Sequence, residues 1–312
     1  MNKKDARLIF MGTPEISAHV FERMILDGYN FVGLISQPDK PIGRKNEIEI
    51  SPTKKIALKY GIPVFQPIKI RLEFEFVREL KPDLIVTFAY GQIVPQGLLD
   101  IPTLGCINLH GSLLPKLRGA SPVQFALING DKKTGVTLMR MLKEMDAGEM
   151  YGKKEVQISD EDNATTLFNK ISLVAGDLIL ELLPDFLKGK IKGIPQNNDE
   201  VTFASIIKPE QEKISFDLSS KSIIGWIRGL SEKPGGYFLL NGKKFKVYNA
   251  KFLDDKITGQ VGEIVEADKN GLILQAKDGR ISLLEIQIEG KRKMDYKTFV
   301  NGYKDLKGII LK

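Results

Sequence analysis

Leu8-Ile-Phe-Met11-Gly12-Thr13-Pro14-Glu15 is the stretch that decides the fold of this chain. Four successive apolar side chains run straight into a glycine turn. The turn leads to a segment whose apolar residues return at helical spacing as far as Leu26. A short run apolar on both faces reads as a strand buried on both sides, and strands of that kind are found where helices cover a parallel sheet. The same texture continues outward. Apolar runs at 31–35, 63–65, 84–88, 106–109 and 136–139 alternate with helix-like segments at 51–60, 70–80 and 122–128. The alternation predicts an α/β domain built on a mostly parallel, Rossmann-like sheet with helices on both faces. Such sheets bind ligands at the carboxyl ends of their strands. Gly12-Thr-Pro14 stands where a phosphate-binding turn would, but it lacks the glycine fingerprint of a dinucleotide site and reads as a tight entry to the first helix.

A long amphipathic helix over 167–187 is marked by Leu167, Ile171, Val174, Leu178 and Leu182. It ends near Lys188-Gly-Lys190, and the polar run Ile194-Pro-Gln-Asn-Asn-Asp-Glu200 follows. Beyond this run the texture changes. Apart from one helix at 220–230, the remainder reads as short strands at 237–240, 245–250, 259–266, 271–276 and 280–287, separated by glycine turns. That spacing predicts a small all-β, OB-like barrel. The expected organisation is a catalytic domain over 1–190, a linker over 191–209 and a β-barrel domain over 210–312.

Composition excludes several classes of chemistry. The 312 residues contain one cysteine and two histidines, so neither an internal disulfide nor a Cys- or multi-His metal cage can form. The first apolar run is too short for a signal-peptide core, and no run reaches a membrane span, so a cytoplasmic location is expected. The net charge of +7 is uneven. Residues 210–312 carry 19 Lys and Arg against 14 Asp and Glu, a net +5, and the first 209 residues carry 27 against 25. A basic C-terminal third fits a polyanionic partner or a solvated lysine-rich face.

The chemistry-bearing residues lie at the end of the fifth expected strand, Ile107-Asn108-Leu109-His110. Alternate side chains of a strand share a face, so Asn108 and His110 point the same way at the carboxyl edge. Histidine moves protons near neutral pH, and an amide can donate to an oxygen that gains negative charge. Asp146, beyond the 136–139 strand, is a plausible carboxylate to orient the imidazole; a plain turn residue is the alternative. Cys106 reads as a small buried hydrophobe and His19 as structural.

Asn108-Leu-His110-Gly-Ser112-Leu113-Leu114-Pro115, Arg118-Gly-Ala-Ser-Pro122, Gly135-Val-Thr137 and Asp146-Ala-Gly148 together resemble the signature of the 10-formyltetrahydrofolate-dependent transformylases. The likeness extends upstream through Phe10-Met-Gly-Thr-Pro14 and Ala89-Tyr90-Gly91. It implies a catalytic trio of Asn108, His110 and Asp146. It also implies a folate site lined by Ser112, Leu113, Leu114, Pro115, Ala89, Tyr90 and Gly91, with 10-formyltetrahydrofolate as donor cosubstrate and no metal. Asn108 would donate to the developing oxyanion, and His110, oriented by Asp146, would stabilise that charge or move the proton. The loop Gln37-Pro-Asp-Lys-Pro-Ile-Gly43-Arg44-Lys45 and the C-terminal segments Ala204-Ser-Ile-Ile-Lys208, 223–228, Pro234-Gly-Gly-Tyr237 and 290–302 carry the likeness further. They imply initiator Met-tRNA as acceptor, with Arg44, Lys45, Lys208 and Arg228 against it, in a monomeric enzyme of translation initiation. A relative with another acceptor, a sugar-amine formyltransferase or a formyl hydrolase, is the alternative. Three positions depart from the family pattern: Asn-Glu-Ile-Glu follows Lys45, Lys233 precedes Pro234, and Ala147 follows Asp146.

Overall fold

The computed structural model describes residues 1–42 and 47–312. Its first half runs β1 (Leu8–Gly12), α1 (Glu15–Leu26), β2 (Phe31–Ile35), β3 (Lys40–Ile42), β4 (Glu47–Glu49), α2 (Pro52–Lys59), β5 (Val64–Phe65), α3 (Phe76–Glu79), β6 (Leu84–Phe88), α4 (Gln96–Leu99) and β7 (Cys106–His110). There follow α5 (Pro122–Ile128), β8 (Lys133–Arg140), β9 (Met150–Gln157) and the long α6 (Ala164–Leu187). The remainder holds α7 (Ser220–Leu230), β10 (Tyr237–Leu240), β11 (Lys243–Asp254), β12 (Ile264–Asp268), β13 (Gly271–Ala276), β14 (Gly279–Ile288), β15 (Met294–Asp295) and α8 (Tyr296–Gly302). The chain divides into two compact units that interleave in sequence. One takes Met1–Gly119, Lys133–Gln157 and Phe168–Ala204; the other takes Ala120–Lys132, Ile158–Leu167 and Ser205–Lys312.

The first unit is built on a sheet ordered β5-β2-β1-β6-β7-β8-β9. The strands from β5 to β7 are parallel, and β8 and β9 join antiparallel to them. The mostly parallel sheet is therefore present as read, with an antiparallel extension at one edge. β1 and β6 are buried along their whole length, as strands covered on both faces must be. Ile9, Met11, Ile35, Ile85 and Cys106 form one apolar cluster on a sheet face. On the other side Phe10 stacks on Phe21, and both rings meet Phe31 edge-on. Gly12 is small for a packing reason: a Cβ there would lie 2.8 Å from the Phe88 carbonyl oxygen and 2.8 Å from Ser17 Cβ. The first turn is thus closed tightly against β6.

The helix expected over 70–80 is shorter than the spacing suggested. Only 76–79 is helical; before it the Lys69 carbonyl accepts from the Leu72 and Glu73 amides, and the Glu73 carboxylate takes the Ile68 and Lys69 amide hydrogens, which closes a separate turn. β9 and the β3–β4 hairpin have no counterpart in the sequence reading. β9 is a lysine-bearing edge strand, Met-Tyr-Gly-Lys-Lys-Glu-Val-Gln, with little apolar alternation.

In the second unit α7, capped by the Ser219 hydroxyl on the Ser222 amide, lies against α5. Two glycines allow the approach, since a Cβ at Gly225 would sit 2.6 Å from the Ile128 carbonyl oxygen and one at Gly229 would sit 2.8 Å from the Ile128 side chain. The antiparallel sheet runs β10-β11-β14-β13-β12, with β15 beside β14. Its two outer strands are joined by the C-terminal segment. Leu239 and Lys312 exchange backbone hydrogen bonds at 2.6 and 3.0 Å, while Gly262 accepts from Leu311 at 2.8 Å and Ile264 donates to Ile309 at 2.8 Å. The segment closes the sheet into a barrel around Phe238, Phe245, Leu274, Ile286 and Phe299.

Candidate active site

The parallel sheet puts its reactive residues at one edge. Thr87 of β6 pairs in register with Asn108 of β7, so Asn108 and His110 continue the face already occupied by Cys106. Cys106 itself is buried, and burial pushes its thiol up to about 12, which leaves it inert as a nucleophile. The Asn108 amide is half-buried and makes no hydrogen bond among the described residues, so its N–H groups are available to an incoming oxygen.

His110 is buried and held at two points. Its Nε2 lies 2.9 Å from the Leu117 carbonyl oxygen, and its Nδ1 lies 3.6 Å from Asp146 Oδ2. A carbonyl only accepts, so Nε2 carries the hydrogen and Nδ1 is the nitrogen left to exchange a proton. The carboxylate beside Nδ1 offers the imidazolium a counter-charge.

Both holding groups come from strained turns. Leu117 and Asp146 have positive φ, 59° and 51°. Such backbone persists in residues other than glycine only where the surroundings fix it, and it concentrates at working sites. The surroundings here are specific. The Gly119 amide donates to Asp146 Oδ2 at 2.9 Å. Gln196 Nε2 donates to the carbonyls of Asp146 and Gly148 at 2.7 and 2.8 Å. Arg118, 5% exposed, donates from Nε to Gln196 Oε1 at 3.0 Å. The loop 113–116 is pinned by Thr137, whose hydroxyl accepts from the Leu114 amide at 3.1 Å and donates to the Ser112 carbonyl at 2.7 Å. Ser112 Oγ donates to the Lys116 carbonyl at 2.6 Å. Lys153 Nζ donates to the Leu114 carbonyl, and burial pulls its ammonium below the usual lysine range. The strand-end turn of β6 is likewise bent, with φ of 49° at Ala89 and 89° at Gly91. The Tyr90 carbonyl accepts from Thr13 Oγ1 at 3.1 Å and from Gln37 Nε2 at 3.2 Å.

The structure thus brings Asn108, His110 and Asp146 into one unit, with Ser112–Pro115 leaving the same strand end. Arg44 and Lys45 lie outside the described residues. Lys208 is exposed beside the turn that begins at Pro209. Arg228 is committed elsewhere: Nε donates to the Asp162 carbonyl and Nη2 to the Ser159 carbonyl, and desolvation lowers its guanidinium from the usual value. His19 faces the Ser172 hydroxyl at 3.3 Å. Gly119 and Thr137 lie within the motifs that carry the family likeness but were given no role there, and Gln196 was not singled out at all. Nothing in the local pattern marks Gln196, because the carbonyls it holds are main-chain groups brought near by the fold. No group of three or more His, Cys, Asp or Glu side chains among the described residues is placed to hold a metal ion.

Comparison with known proteins bears on the family. Residues 6–183 match the formyl transferase family, and residues 206–304 match the formyl transferase C-terminal domain. A methionyl-tRNA formyltransferase from Ligilactobacillus salivarius is 43% identical over 299 residues, covering 95% of this chain and 94% of the relative. One from Bacillus pumilus is 44% identical over 300 residues, covering 95% of each. Among solved structures, an N-formyltransferase from Helicobacter canadensis in complex with folinic acid and dTDP-3-aminofucose superposes with a TM-score of 0.69 at 19% identity, covering 91% of this chain and 99% of that one. That last likeness concerns the fold. With both portions of the family matched in order and a relative 43% identical along nearly the whole length, the chain belongs to the formyl transferase family.

Proposed function

We propose that the chain transfers the formyl group of 10-formyltetrahydrofolate to the α-amine of methionine on initiator methionyl-tRNA, giving N-formylmethionyl-tRNA for translation initiation. The observation that carries the chemistry is the imidazole of His110, seated between the Leu117 carbonyl and Asp146 with a free Asn108 amide on the same strand face. The acceptor is supported by the methionyl-tRNA formyltransferases that match 95% of the chain at 43–44% identity.

The neutral amine attacks the formyl carbon. A new C–N bond forms and the formyl oxygen becomes an oxyanion. Asn108 donates to that oxygen; deleting such a donor typically costs ~10²–10³ in rate. His110 takes the amine proton on Nδ1, or faces the oxyanion as an imidazolium, with Asp146 as counter-ion in either case. Collapse breaks the bond to the folate nitrogen, which leaves with a proton. The reaction needs no covalent enzyme intermediate, consistent with the inert Cys106 thiol. Ser112–Pro115 and Ala89–Gly91 line the folate, largely through backbone groups. Arg44, Lys45 and Lys208 meet the tRNA backbone, while Arg228 holds the 159–162 turn. The reading places the enzyme in the cytoplasm, acting as a monomer. No described helix is long and apolar enough to cross a membrane.

The test is formyl transfer from 10-formyltetrahydrofolate onto charged initiator tRNA and, in parallel, onto small amines and water, with formyl-methionine detected by mass. Preferential transfer to a sugar amine or water removes the tRNA assignment. Asn108→Ala and His110→Ala should abolish formylation while Met-tRNA binding persists, and near-normal turnover by either would remove the mechanism. Arg44→Ala should weaken use of Met-tRNA with folate affinity unchanged.

A further inference from the structure

The segment 194–204 lies between the two family matches and carries none of the trio. It nevertheless touches the turns that hold both catalytic partners. Ile194 and Met150 exchange backbone hydrogen bonds at 2.9 and 2.9 Å, which docks the segment beside the start of β9. Two residues on, Gln196 spends its whole amide on the Asp146 turn and its brace. Both N–H groups are taken by the Asp146 and Gly148 carbonyls, and the oxygen is taken by Arg118. This pattern fixes the amide orientation, since the flipped amide would set its oxygen against two carbonyls and its NH₂ against a guanidinium. Further along, Thr202 Oγ1 accepts from the Leu117 amide at 2.9 Å. The Thr202 carbonyl accepts from the Arg118 amide at 2.9 Å, and the Ala204 amide donates to the Arg118 carbonyl at 2.7 Å. Leu117 supplies the carbonyl that holds His110 Nε2, and Asp146 supplies the carboxylate at Nδ1. One short segment therefore grips both ends of the imidazole's support.

We propose that the 194–204 segment is part of the catalytic apparatus, with Gln196 the positioning residue for Asp146 and Thr202 the positioning residue for the Leu117 carbonyl. Neither touches substrate; both act through His110. The inference rests on the acyl-transfer reading above and adds to it the parts that keep the trio in register. Its energetic logic is that a displacement of about 1 Å at a catalytic group can cost ~10²-fold in rate. Two turns with positive φ do not hold that register unaided.

The experiment uses the full chain and three variants: Gln196→Met, which keeps the side chain's length and removes its hydrogen bonds, Thr202→Val, and Asp146→Asn. The first readout is the imidazole NMR signals of the two histidines, which needs no turnover. In Gln196→Met and Thr202→Val the His110 signals should move while those of His19 stay in place. The second readout is kinetic. Gln196→Met should lower kcat by about 10–100-fold with KM for donor and Met-tRNA within about threefold. In the Asp146→Asn background the same substitution should cost nothing further, because Gln196 acts through Asp146. Unmoved His110 signals in both variants, an unchanged kcat in Gln196→Met, or losses that multiply in the double variant would each overturn the proposal. If the parent does not formylate Met-tRNA, the functional reading fails, and the histidine signals still decide the positioning role.

Discussion

At the scale of the residue, the site depends on atoms with almost no room to move. Gly148 shows this most sharply, because a Cβ there would lie 1.9 Å from the Arg140 carbonyl oxygen. That oxygen is main chain and cannot swing aside. Gly148→Ala must therefore open the turn that carries Asp146, and we expect kcat to fall by ~10² or more while folate binding changes little. Steady-state kinetics with donor titration measures both, and a variant with parental kcat would refute the argument. Asn108 and His110 were legible as a polar pair sharing one face at a strand end, while Asp146, in the turn between β8 and β9, was joined to them by the family resemblance. Their supports were not, since a glutamine after a proline and a threonine in a polar run look like any linker. Arg228 shows the converse. The family resemblance implied a contact with the tRNA for it, but the fold turns it onto two carbonyls.

At the scale of the element, strands buried on both faces could be read from apolar runs alone, while β9 could not. An edge strand needs only one partner, tolerates lysines, and loses the periodic signal that marks a central strand. Helix α3 was over-read because the apolar spacing runs on through 70–75, where the chain instead closes a turn on the Lys69 carbonyl. Two element-scale outcomes follow from the second unit. Arg228→Met should destabilise the protein by about 1.5–3 kcal/mol, the usual worth of hydrogen bonds to a charged group, and leave the affinity for tRNA unchanged. Thermal denaturation and a binding titration separate these effects. The other outcome concerns the β11–β14 pair, where Arg280 forks onto Asp254 with Nε at 2.8 Å from Oδ1 and holds the carboxyl down at about 2. A carboxyl lowered on folding adds stability above its unfolded value of about 3.9, and that stability is lost as pH falls from there toward 2. Asp254→Asn should therefore flatten the acid limb of the stability curve in that window and leave the curve shape near neutrality unaltered. Urea unfolding at stepped pH provides the check.

At the scale of the whole molecule, the uneven charge governs the encounter with a polyanion. A net +5 over residues 210–312 should make Met-tRNA binding fall steeply and log-linearly with salt. Lys208→Ala should reduce that slope by roughly 0.7–0.9, the contribution of about one phosphate contact, without altering the KM for the folate. An unchanged slope would remove Lys208 from the tRNA face. The excess charge was visible in composition; the path of the chain was not. Reading from left to right suggests one module and then another, but the second unit claims Ala120–Lys132 and Ile158–Leu167 from the middle of the first. This interleaving also has a meaning in time. On a ribosome, α5 emerges long before α7, the helix whose glycines receive it. At ~5–20 residues per second the interval is on the order of 5–20 s. Throughout it Val123, Ala126 and Leu127 lack the α7 helix that packs on α5, and beyond Lys132 only Ile158–Leu167 and the start of the 205–312 stretch of their own unit have been made. A nascent chain stalled before residue 220 should therefore be a strong substrate for holdase chaperones, and release from them should track the synthesis of α7.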